Sequence, residues 1–419
     1  MKKLFIFTDS YPTEIGEWPF LAPELEKLRN FFNIKIICCN TNSKINEYVP
    51  DYISVIFFRI EKESLILTII ALFKSFFSKI FLCELIKLIR INRINNIKYM
   101  MRYWIKALRL SKFLKRNKII DNNSLIYTYW NNYATLGGII HKIHSQNNIK
   151  IISRIHRYDL YLTSRNNFYQ PFKFFMNMHL DKLFFISQEG KDYFIDKYAK
   201  IDSNKYIVSR LGVNDNGFLE FSPEESLKII SCSYLSPVKR INKIIDSIAL
   251  IDFCKIEWHH IGDGNLFDEI WEYANFKLNS NKNITFKFLG RLSNEEVILN
   301  YKNNNYDIFV NTSESEGIPL SMMEAQSFGI PIIGTNVGGV SEIVNSETGW
   351  LIDRDFDYLE FRDIVWQYKQ LNKIQIFNLR QNCRLHWEKH FNAERNHKNF
   401  LMHIMSMFEF EEVNKNGQK

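Results

Sequence analysis

Residues 310–342 read VNTSESEGIPLSMMEAQSFGIPIIGTNVGGVSE. The apolar residues up to Asn311 predict a buried strand, the polar residues after it predict a loop, and a helix begins at Pro319 or Leu320, because proline suits the first helical turn. The N–H groups of that turn have no partner within the helix, and together with the helix dipole they attract phosphate. The stretch therefore predicts an anion-binding turn between a strand and a helix.

Two carboxylates lie on this turn and helix. Glu316 precedes Gly317 in the loop, and Glu324 lies about one turn inside the helix. A carboxylate repels phosphate, but it accepts hydrogen bonds from the hydroxyls of a ribose or another sugar. Gly317 lets a ligand approach the backbone closely. For an isolated pair, a solvated loop glutamate and an ordinary helix glutamate remain the alternative.

Short apolar strand patterns alternate with helical patterns along the chain, which is typical of parallel α/β sheets. Seven predicted strands come first, at residues 3–8, 34–39, 55–58, 125–128, 149–155, 182–186 and 205–208. Five more follow an irregular polar stretch, at residues 228–233, 255–261, 284–289, 307–311 and 331–334. We therefore predict an α/β protein with two Rossmann-like domains that face each other across a cleft, with ligands at the carboxyl ends of the strands.

The residues around Glu316 and Glu324, an E-x7-E pair, closely resemble the signature of family 4 glycosyltransferases, which are retaining enzymes of GT-B fold. Further residues match that signature: Gly317, Pro319, Ala325, Gly329, Pro331, Gly338, Gly339 and Glu342. Residues 231–240 (SCSYLSPVKR) resemble the family's phosphate-binding loop. Residues 154–161 (RIHRYDLY) resemble a subgroup that makes capsule, exopolysaccharide or colanic-acid-like polymers.

This resemblance implies a role for each matching residue. Catalytic roles are implied for Glu316, His156 and Lys239. Donor binding is implied for Glu324, Gly317, Ile318, Pro319, Leu320, Ser321, Arg240, Gly262, Arg291 and Leu292, and acceptor contacts for Gly16, Glu17 and Asp159. Within this set, Glu324 would bind ribose, Glu316 the transferred sugar and Lys239 the pyrophosphate. The donor would be a UDP- or GDP-sugar, and neither a cofactor nor a metal is implied.

The sequence departs from the family pattern at one position. Ser233 and Tyr234 stand where the family commonly has Gly-Arg, so the second cationic phosphate contact is missing there. Arg240, directly after Lys239, is the candidate replacement.

Structural interpretations stay open for several of these residues. Lys239 also fits a surface lysine, and His156 fits a histidine at the turn after a strand. Asp159, three residues later, fits a cap of the next helix. Residues 262–264 (GDG) lack the third glycine of a nicotinamide site, and residues 355–357 (DFD) adjoin a polar turn, so neither a nicotinamide nor a metal is predicted.

The composition excludes several protein classes. With 46% hydrophobic residues, 16 Gly and 9 Pro among 419 residues, the chain is globular rather than collagen-like, coiled or disordered. This length predicts two or three domains. The six cysteines form no C-x-x-C pair, which favours a reducing compartment, and the apolar run at residues 4–7 is too short for a signal peptide.

Positive charge is concentrated in residues 59–118. Fifteen Lys or Arg and three Glu give this segment a net charge of +12, whereas the whole chain carries +8. Residues 65–81 (LILTIIALFKSFFSKIF) mix large apolar side chains with lysines, as helices in a membrane interface do. Cations whose aliphatic stems cover a core remain the alternative. We predict no membrane-spanning helix and no nucleic-acid partner.

The predicted domains follow from the resemblance and the strand pattern. Residues 1–212 form the acceptor-side domain with the basic and apolar segment 59–118, residues 213–384 bind the nucleotide sugar, and residues 385–419 form a helix that returns to the first domain and frays from Phe408.

The predicted function is that of a retaining, metal-independent glycosyltransferase. It would transfer a sugar to a glycan acceptor linked to polyprenyl pyrophosphate, in bacterial surface polysaccharide synthesis. The expected location is cytoplasmic, on the inner face of an anionic cell membrane. Two alternatives stay open: a nucleotide-sugar epimerase of the same fold, and a non-catalytic partner protein of that fold, which Tyr234 suggests.

Overall fold

The computed structural model describes residues 1–13, 16–39, 44–45, 47–58, 73, 75–145, 147–164, 168–199 and 201–416. The chain forms two compact units, of which the first is Met1–Ser209 with His397–Lys419 and the second is Arg210–Asn396. The first boundary lies three residues before the predicted one, and the second lies twelve residues after it. Residues 59–72 and 74, the start of the predicted basic segment, lie outside the described residues.

The first unit is built on a seven-stranded parallel sheet of order β3-β2-β1-β4-β5-β6-β7. Its strands are β1 Lys2–Thr8, β2 Phe32–Cys38, β3 Ile53–Phe57, β4 Leu125–Thr128, β5 Lys150–Ile155, β6 Lys182–Phe185 and β7 Tyr206–Val208. Its described helices are α1 Trp18–Leu28, α2 Lys79–Arg90, α3 Ile97–Arg116, α4 Tyr133–Ser145, α5 Arg157–Leu160, α6 Lys173–His179 and α7 Gln188–Phe194. Both faces of the sheet are buried, as is usual when helices cover a parallel sheet.

The second unit carries a six-stranded parallel sheet of order β10-β9-β8-β11-β12-β13. Its strands are β8 Leu227–Cys232, β9 Ile256–Ile261, β10 Ile284–Phe288, β11 Ile308–Asn311, β12 Ile332–Thr335 and β13 Gly349–Ile352. Its helices are α8 Ile241–Ala249, α9 Phe267–Leu278, α10 Asn294–Asn303, α11 Leu320–Ser327, α12 Tyr358–Gln370 and α13 Lys373–His390. All twelve predicted strands have observed counterparts, whereas β13 was not predicted.

Strand order reverses direction once in each sheet. In the first sheet the reversal lies between β1 and β4, and in the second it lies between β8 and β11. Ligands of open α/β sheets bind outside the carboxyl ends of strands at such a point. The loops after β8 and β11 carry Lys239 and Glu316, so the topology places both residues at the carboxyl edge of the second sheet.

The last helix, α14 (Ala393–Asn416), completes the core of the first unit. The ring of Phe400 lies 5.3 Å from that of Tyr127 and 4.8 Å from that of Phe184, measured between centroids. The helix continues past Phe408, which is buried, to Asn416, and the fraying expected from Phe408 stays a prediction.

Under this helix lies a buried ion pair. Arg154 on β5 binds Glu24 on α1 with an N–O distance of 2.8 Å, and both side chains are almost wholly buried. The Arg154 guanidinium also lies 4.5 Å from the centre of the Phe400 ring. These contacts fasten α1, β5 and α14 to one another.

Within the described residues, no helix is both long and apolar enough to cross a bilayer.

Candidate functional site

The turn between β11 and α11 has the predicted strand–loop–helix form. The strand ends at Asn311, and the helix begins at Leu320 with Pro319 directly before it. The Asn311 side chain shapes the loop, because its Oδ1 accepts from the Ser313 N–H at 3.0 Å. Its Nδ2 donates to Glu316 Oε1 at 3.2 Å. One amide side chain thus orients the carboxylate that the sequence predicted to bind sugar.

Lys239 and Glu316 form an ion pair. Lys239 ends a short helical turn, Pro237–Lys239, and its Nζ lies 2.6 Å from Glu316 Oε1. Glu316 is only 8% exposed, and Lys239 is partly buried. Residues that the sequence separates by 77 positions therefore meet at the carboxyl edge of the sheet.

Two glycines support the loop from behind. Gly338 has a φ of +53°, and a Cβ on it would overlap the carbonyl oxygen of Glu316. The N–H of Gly339 donates to the Gly317 carbonyl at 2.7 Å. Only residues without a side chain allow this close backbone approach. Gly338 and Gly339 therefore fix the backbone from which Glu316 projects.

Arg240 is held by protein groups. Its backbone is left-handed, with a φ of 50°, and its Nε donates to the Thr312 carbonyl at 2.8 Å. A second nitrogen donates to the Arg354 carbonyl at 2.6 Å, and a third lies 3.2 Å from Asp355. This geometry makes Arg240 a brace between loops and does not support its predicted role as a replacement phosphate contact. The Asp355 carboxylate, part of the D-x-D sequence, is occupied by Arg240 and Arg354.

A cavity of about 630 Å³ adjoins the carboxyl ends of β8 and β9. Three predicted donor residues, Gly262, Arg291 and Leu292, line it together. Tyr234, which stands at the family's usual arginine position, also lines it and is 60% exposed. The cavity wall is thus more aromatic and less cationic than the family pattern implies.

Glu324 projects from the second turn of α11. Its Oε1 accepts from Asn294 Nδ2 at 3.0 Å, and burial raises the pKa of Glu324 to about 7 despite this bond. Asn294 is the first residue of α10 and lies two residues after Leu292, which lines the cavity. The sequence analysis missed Asn294, although its place at a helix start after a strand could have indicated it.

In the first unit, His156 follows β5 directly, as predicted. Its ring packs in tilted contact with the rings of Tyr129 and Trp130, at centroid distances of 4.9 and 4.5 Å. Neither ring nitrogen has a hydrogen-bond partner in the described part of the chain. Burial, with a contribution from the Arg154 charge, lowers the pKa of His156 to about 3, so the ring is neutral.

Asp159 acts as a positioning residue in this geometry. One carboxylate oxygen accepts from the His156 N–H at 2.6 Å, and the other accepts from the Asn131 N–H at 2.5 Å. The buried Lys173 donates to Asn131 Oδ1 at 2.6 Å and adds its charge beside Asp159. The capping alternative describes these contacts, and the implied acceptor contact of Asp159 stays a prediction.

Glu17 holds the loop after β1. Its carboxylate accepts from the N–H groups of Asp9, Ser10 and Tyr11, at 2.6, 2.9 and 2.6 Å. Trp130 Nε1 also donates to it, at 2.7 Å. Glu17 is buried, whereas Gly16 beside it is exposed. Of these two predicted acceptor contacts, only Gly16 is therefore accessible. Sequence reasoning missed Trp130, although it follows the predicted strand 125–128 at a carboxyl end.

Comparison with known proteins agrees with this geometry. Residues 217–383, which contain every site residue of the second unit named above, match the family model described as glycosyl transferases group 1. This match supports the group 1 glycosyltransferase family. An N-acetyl-alpha-D-glucosaminyl L-malate synthase from Bacillus anthracis is 31% identical over 141 residues, 32% of this chain and 34% of that protein. The match thus spans about a third of the relative's length.

Solved structures resemble the chain over nearly its full length. The apo form of a lipopolysaccharide outer core galactosyltransferase, WaaB, has a TM-score of 0.70 at 17% identity and covers 97% of this chain and 100% of that one. HepE from Anabaena, in complex with UDP and glucose, has a TM-score of 0.65 at 16% identity, with coverage of 97% and 100%. These likenesses confirm the predicted fold class, GT-B with two Rossmann-like parallel-sheet domains.

Proposed function

We propose that this protein is a retaining glycosyltransferase. It transfers a sugar from a nucleotide-diphosphate sugar to a hydroxyl of a glycan acceptor. The observation that carries the proposal is the meeting of Lys239 and Glu316 at the start of α11. The group 1 family match over the same residues supports it.

The donor is bound by the second unit in this proposal. Glu324 accepts hydrogen bonds from the two ribose hydroxyls, because a carboxylate offers paired acceptor oxygens. The base enters the cavity lined by Arg291 and Leu292. The N–H groups of residues 317–321 meet the phosphate nearest the sugar, since a helix start favours anions. UDP is our first choice of nucleotide, supported by the UDP complex of the HepE fold relative.

The chemical step requires stabilisation of the leaving diphosphate. Negative charge grows on that group as the bond to the sugar breaks, and Lys239 together with the helix start supplies opposing positive charge. These protein groups act without a metal ion in our proposal. Glu316 then binds hydroxyls of the transferred sugar and fixes its orientation.

Within the first unit, His156 is the proposed polar contact for a hydroxyl of the substrate. Its ring is neutral, so one nitrogen donates and the other accepts a hydrogen bond. Asp159 holds the backbone of His156, and Gly16 offers an exposed backbone position for the acceptor.

We further propose that the acceptor is a glycan linked to polyprenyl pyrophosphate in bacterial surface polysaccharide synthesis. The protein would act in the cytoplasm, at the inner face of the cell membrane. The sequence resemblance to capsule and exopolysaccharide enzymes supports this proposal, as does the fold likeness to WaaB, a lipopolysaccharide outer core galactosyltransferase.

Calorimetry and a transfer assay test the proposed function. We expect UDP or GDP to bind, and a radiolabelled nucleotide sugar to label lipid-linked glycan in membrane extract. Release of nucleotide without any glycan present would support the epimerase instead. Failure of a panel of UDP- and GDP-sugars both to bind and to raise the unfolding temperature would refute the enzyme proposal.

One observation favours a second candidate, a non-catalytic partner of the same fold. Tyr234 replaces the usual arginine, and the guanidinium of Arg240 is engaged by Thr312, Arg354 and Asp355. A protein of this kind would bind nucleotides weakly or not at all, so the same calorimetry separates the two candidates.

A further inference from the structure

Exposed apolar side chains lie on the first unit, along residues 73 and 75–94. Phe73 is 66% exposed and Phe77 is 77% exposed, whereas large apolar side chains in soluble proteins are mostly covered. The same stretch exposes Ile86, Ile89, Ile91 and Ile94. We call these six residues the α2 surface. Concentrations of exposed large apolar side chains are typical of binding sites for a protein or a membrane.

Helix α2 is anchored to the unit by its opposite face. Phe81 packs on Trp104 at a centroid distance of 5.9 Å, and the buried Glu84 accepts from the Tyr169 hydroxyl at 2.7 Å. An ordinary surface helix is polar on its outward side. Phe81 and Glu84 are buried, whereas Ile86 and Ile89 are exposed. The outward apolar side chains of α2 therefore take no part in core packing.

The exposed charges within residues 73–98 are of one sign. Glu84 is the only acidic residue in the sequence from 73 to 98, and it is buried. The exposed cations there include Lys79, Arg90 and Lys98. Apolar side chains flanked by lysine and arginine, without exposed acids, are the pattern of helices that lie in the interface of anionic bilayers.

The surface continues onto neighbouring residues. The Lys87 ammonium lies 4.6 Å from the centre of the Phe174 ring on α6, and Arg93 donates to the Phe168 carbonyl. Phe174 is 40% exposed and Phe168 is 49% exposed. Helix α2 therefore has aromatic neighbours at the same surface, which suits the boundary between lipid headgroups and acyl chains.

We infer that the α2 surface docks on an anionic lipid bilayer, with α2 in the plane of the interface. Charge complementarity selects this occupant over a second copy of the chain, because two such surfaces would bring like charges together. The inference deepens the proposed function by naming the surface that meets the membrane. It rests on that function only for the assumption that the acceptor is lipid-linked.

Flotation with lipid vesicles tests the inference. We expect the wild type to bind vesicles that contain phosphatidylglycerol, to bind pure phosphatidylcholine far less, and to dissociate at high salt. Removing two exposed cations, with Lys79→Gln and Arg90→Gln, should lower the bound-to-free ratio by about thirtyfold. Removing apolar contact, with Ile86→Asn and Ile89→Asn, should lower it by about tenfold.

Matched control variants lie in the second unit. Lys282→Gln with Lys302→Gln removes two exposed cations, and Ile374→Asn with Leu385→Asn removes two exposed apolar side chains. These controls should bind vesicles like the wild type. Calorimetry with UDP, run on every variant, reports the donor site separately, so a lost nucleotide site and a lost docking surface give different results.

Several outcomes would overturn the inference. These are equal vesicle binding by the wild type and both α2 variants, no binding to anionic vesicles at all, or equal binding to neutral vesicles. A dimer in sedimentation that Ile86→Asn and Ile89→Asn abolish, without vesicle binding, would assign the surface to a second copy instead. UDP binding that persists alongside any of these results leaves the proposed function standing.

Discussion

Lys239 and Glu316 make competing demands on one site. Lys239 is the proposed cation for the diphosphate, yet its ammonium lies 2.6 Å from a carboxylate oxygen that repels phosphate. A nucleotide diphosphate must therefore draw Lys239 away from Glu316. Breaking this ion pair costs free energy. If Glu316 binds the hydroxyls of the sugar at the same time, the complete donor offsets that cost, whereas a nucleotide without the sugar does not.

Glu316→Gln tests this competition. The amide keeps the shape of the side chain but removes its charge, so UDP no longer has to break the ion pair with Lys239. We expect UDP to bind a few times more tightly, because a partly exposed ion pair contributes about 1 kcal/mol. Transfer should fall on the order of a hundredfold, because the sugar loses a charged contact. Calorimetry with UDP and a radiolabelled transfer assay measure the two effects, with Glu347→Gln as the control. Weaker UDP binding would contradict the competition.

Glu324 gives the protein a pH-dependent stability. Burial raises its pKa from 4.5 to about 7, so folding favours the protonated carboxyl. The stability that this preference contributes is present below about pH 4.5 and is lost as the pH rises through about 7. As the pH rises through this interval, we therefore expect the unfolding free energy of Glu324→Gln to increase relative to that of the wild type. Urea unfolding at a series of pH values measures it, and parallel profiles would exclude the shift.

Sequence reasoning located the site residues better than their partners. Glu316, Glu324 and Lys239 stand in a local pattern of strand, turn and helix start, which sequence spacing encodes. The engagement of Arg240 was not predictable, because its partner Asp355 lies 115 residues away and its direction depends on a left-handed backbone. The donors around Glu17 likewise come together only in the folded loop.

At the scale of elements, the turn into α11 depends on the short helical turn Gly338–Glu342 behind it. Gly338→Ala places a methyl group against the Glu316 carbonyl and also strains a left-handed backbone. We expect a loss of about 1–3 kcal/mol in unfolding free energy together with weaker UDP binding. Urea unfolding and calorimetry measure these changes.

Gly217→Ala is the matched control for this variant. Gly217 also has a positive φ, of 94°, but nothing lies within 4 Å of an added methyl group. It should show the cost of backbone strain without the loss of UDP binding. Equal effects of the two variants would mean that the contact with Glu316 is unimportant.

Most strands were predictable, because buried parallel strands are continuous apolar runs. The strand β13, GWLI, escaped because it has four residues, two of them only partly buried. The packing of α14 depends on residues such as Phe400, which contacts Tyr127 and Phe184 on strands more than 200 residues earlier in the chain.

At the scale of the whole molecule, the first unit is stabilised by a helix from the far end of the chain. Phe400→Ala removes a buried ring that packs on Tyr127, on Phe184 and over the Arg154 guanidinium. We expect a loss of about 3–5 kcal/mol in the stability of this unit. Hydrogen exchange should show faster exchange in β4 and β6, with β8 and β11 unchanged. Equal acceleration in both sheets would mean that the two units unfold together.

The path of the chain through its two units also constrains how the protein is made. The ribosome finishes residues 210–396, a continuous stretch, before it has supplied residues 397–416 of α14. The nascent first unit must therefore wait with the partners of Phe400 uncovered while the later unit is already able to fold. The second unit can thus complete its folding before the first, although it is synthesised later. Chaperones are expected to bind the nascent chain mainly before α14 has been synthesised.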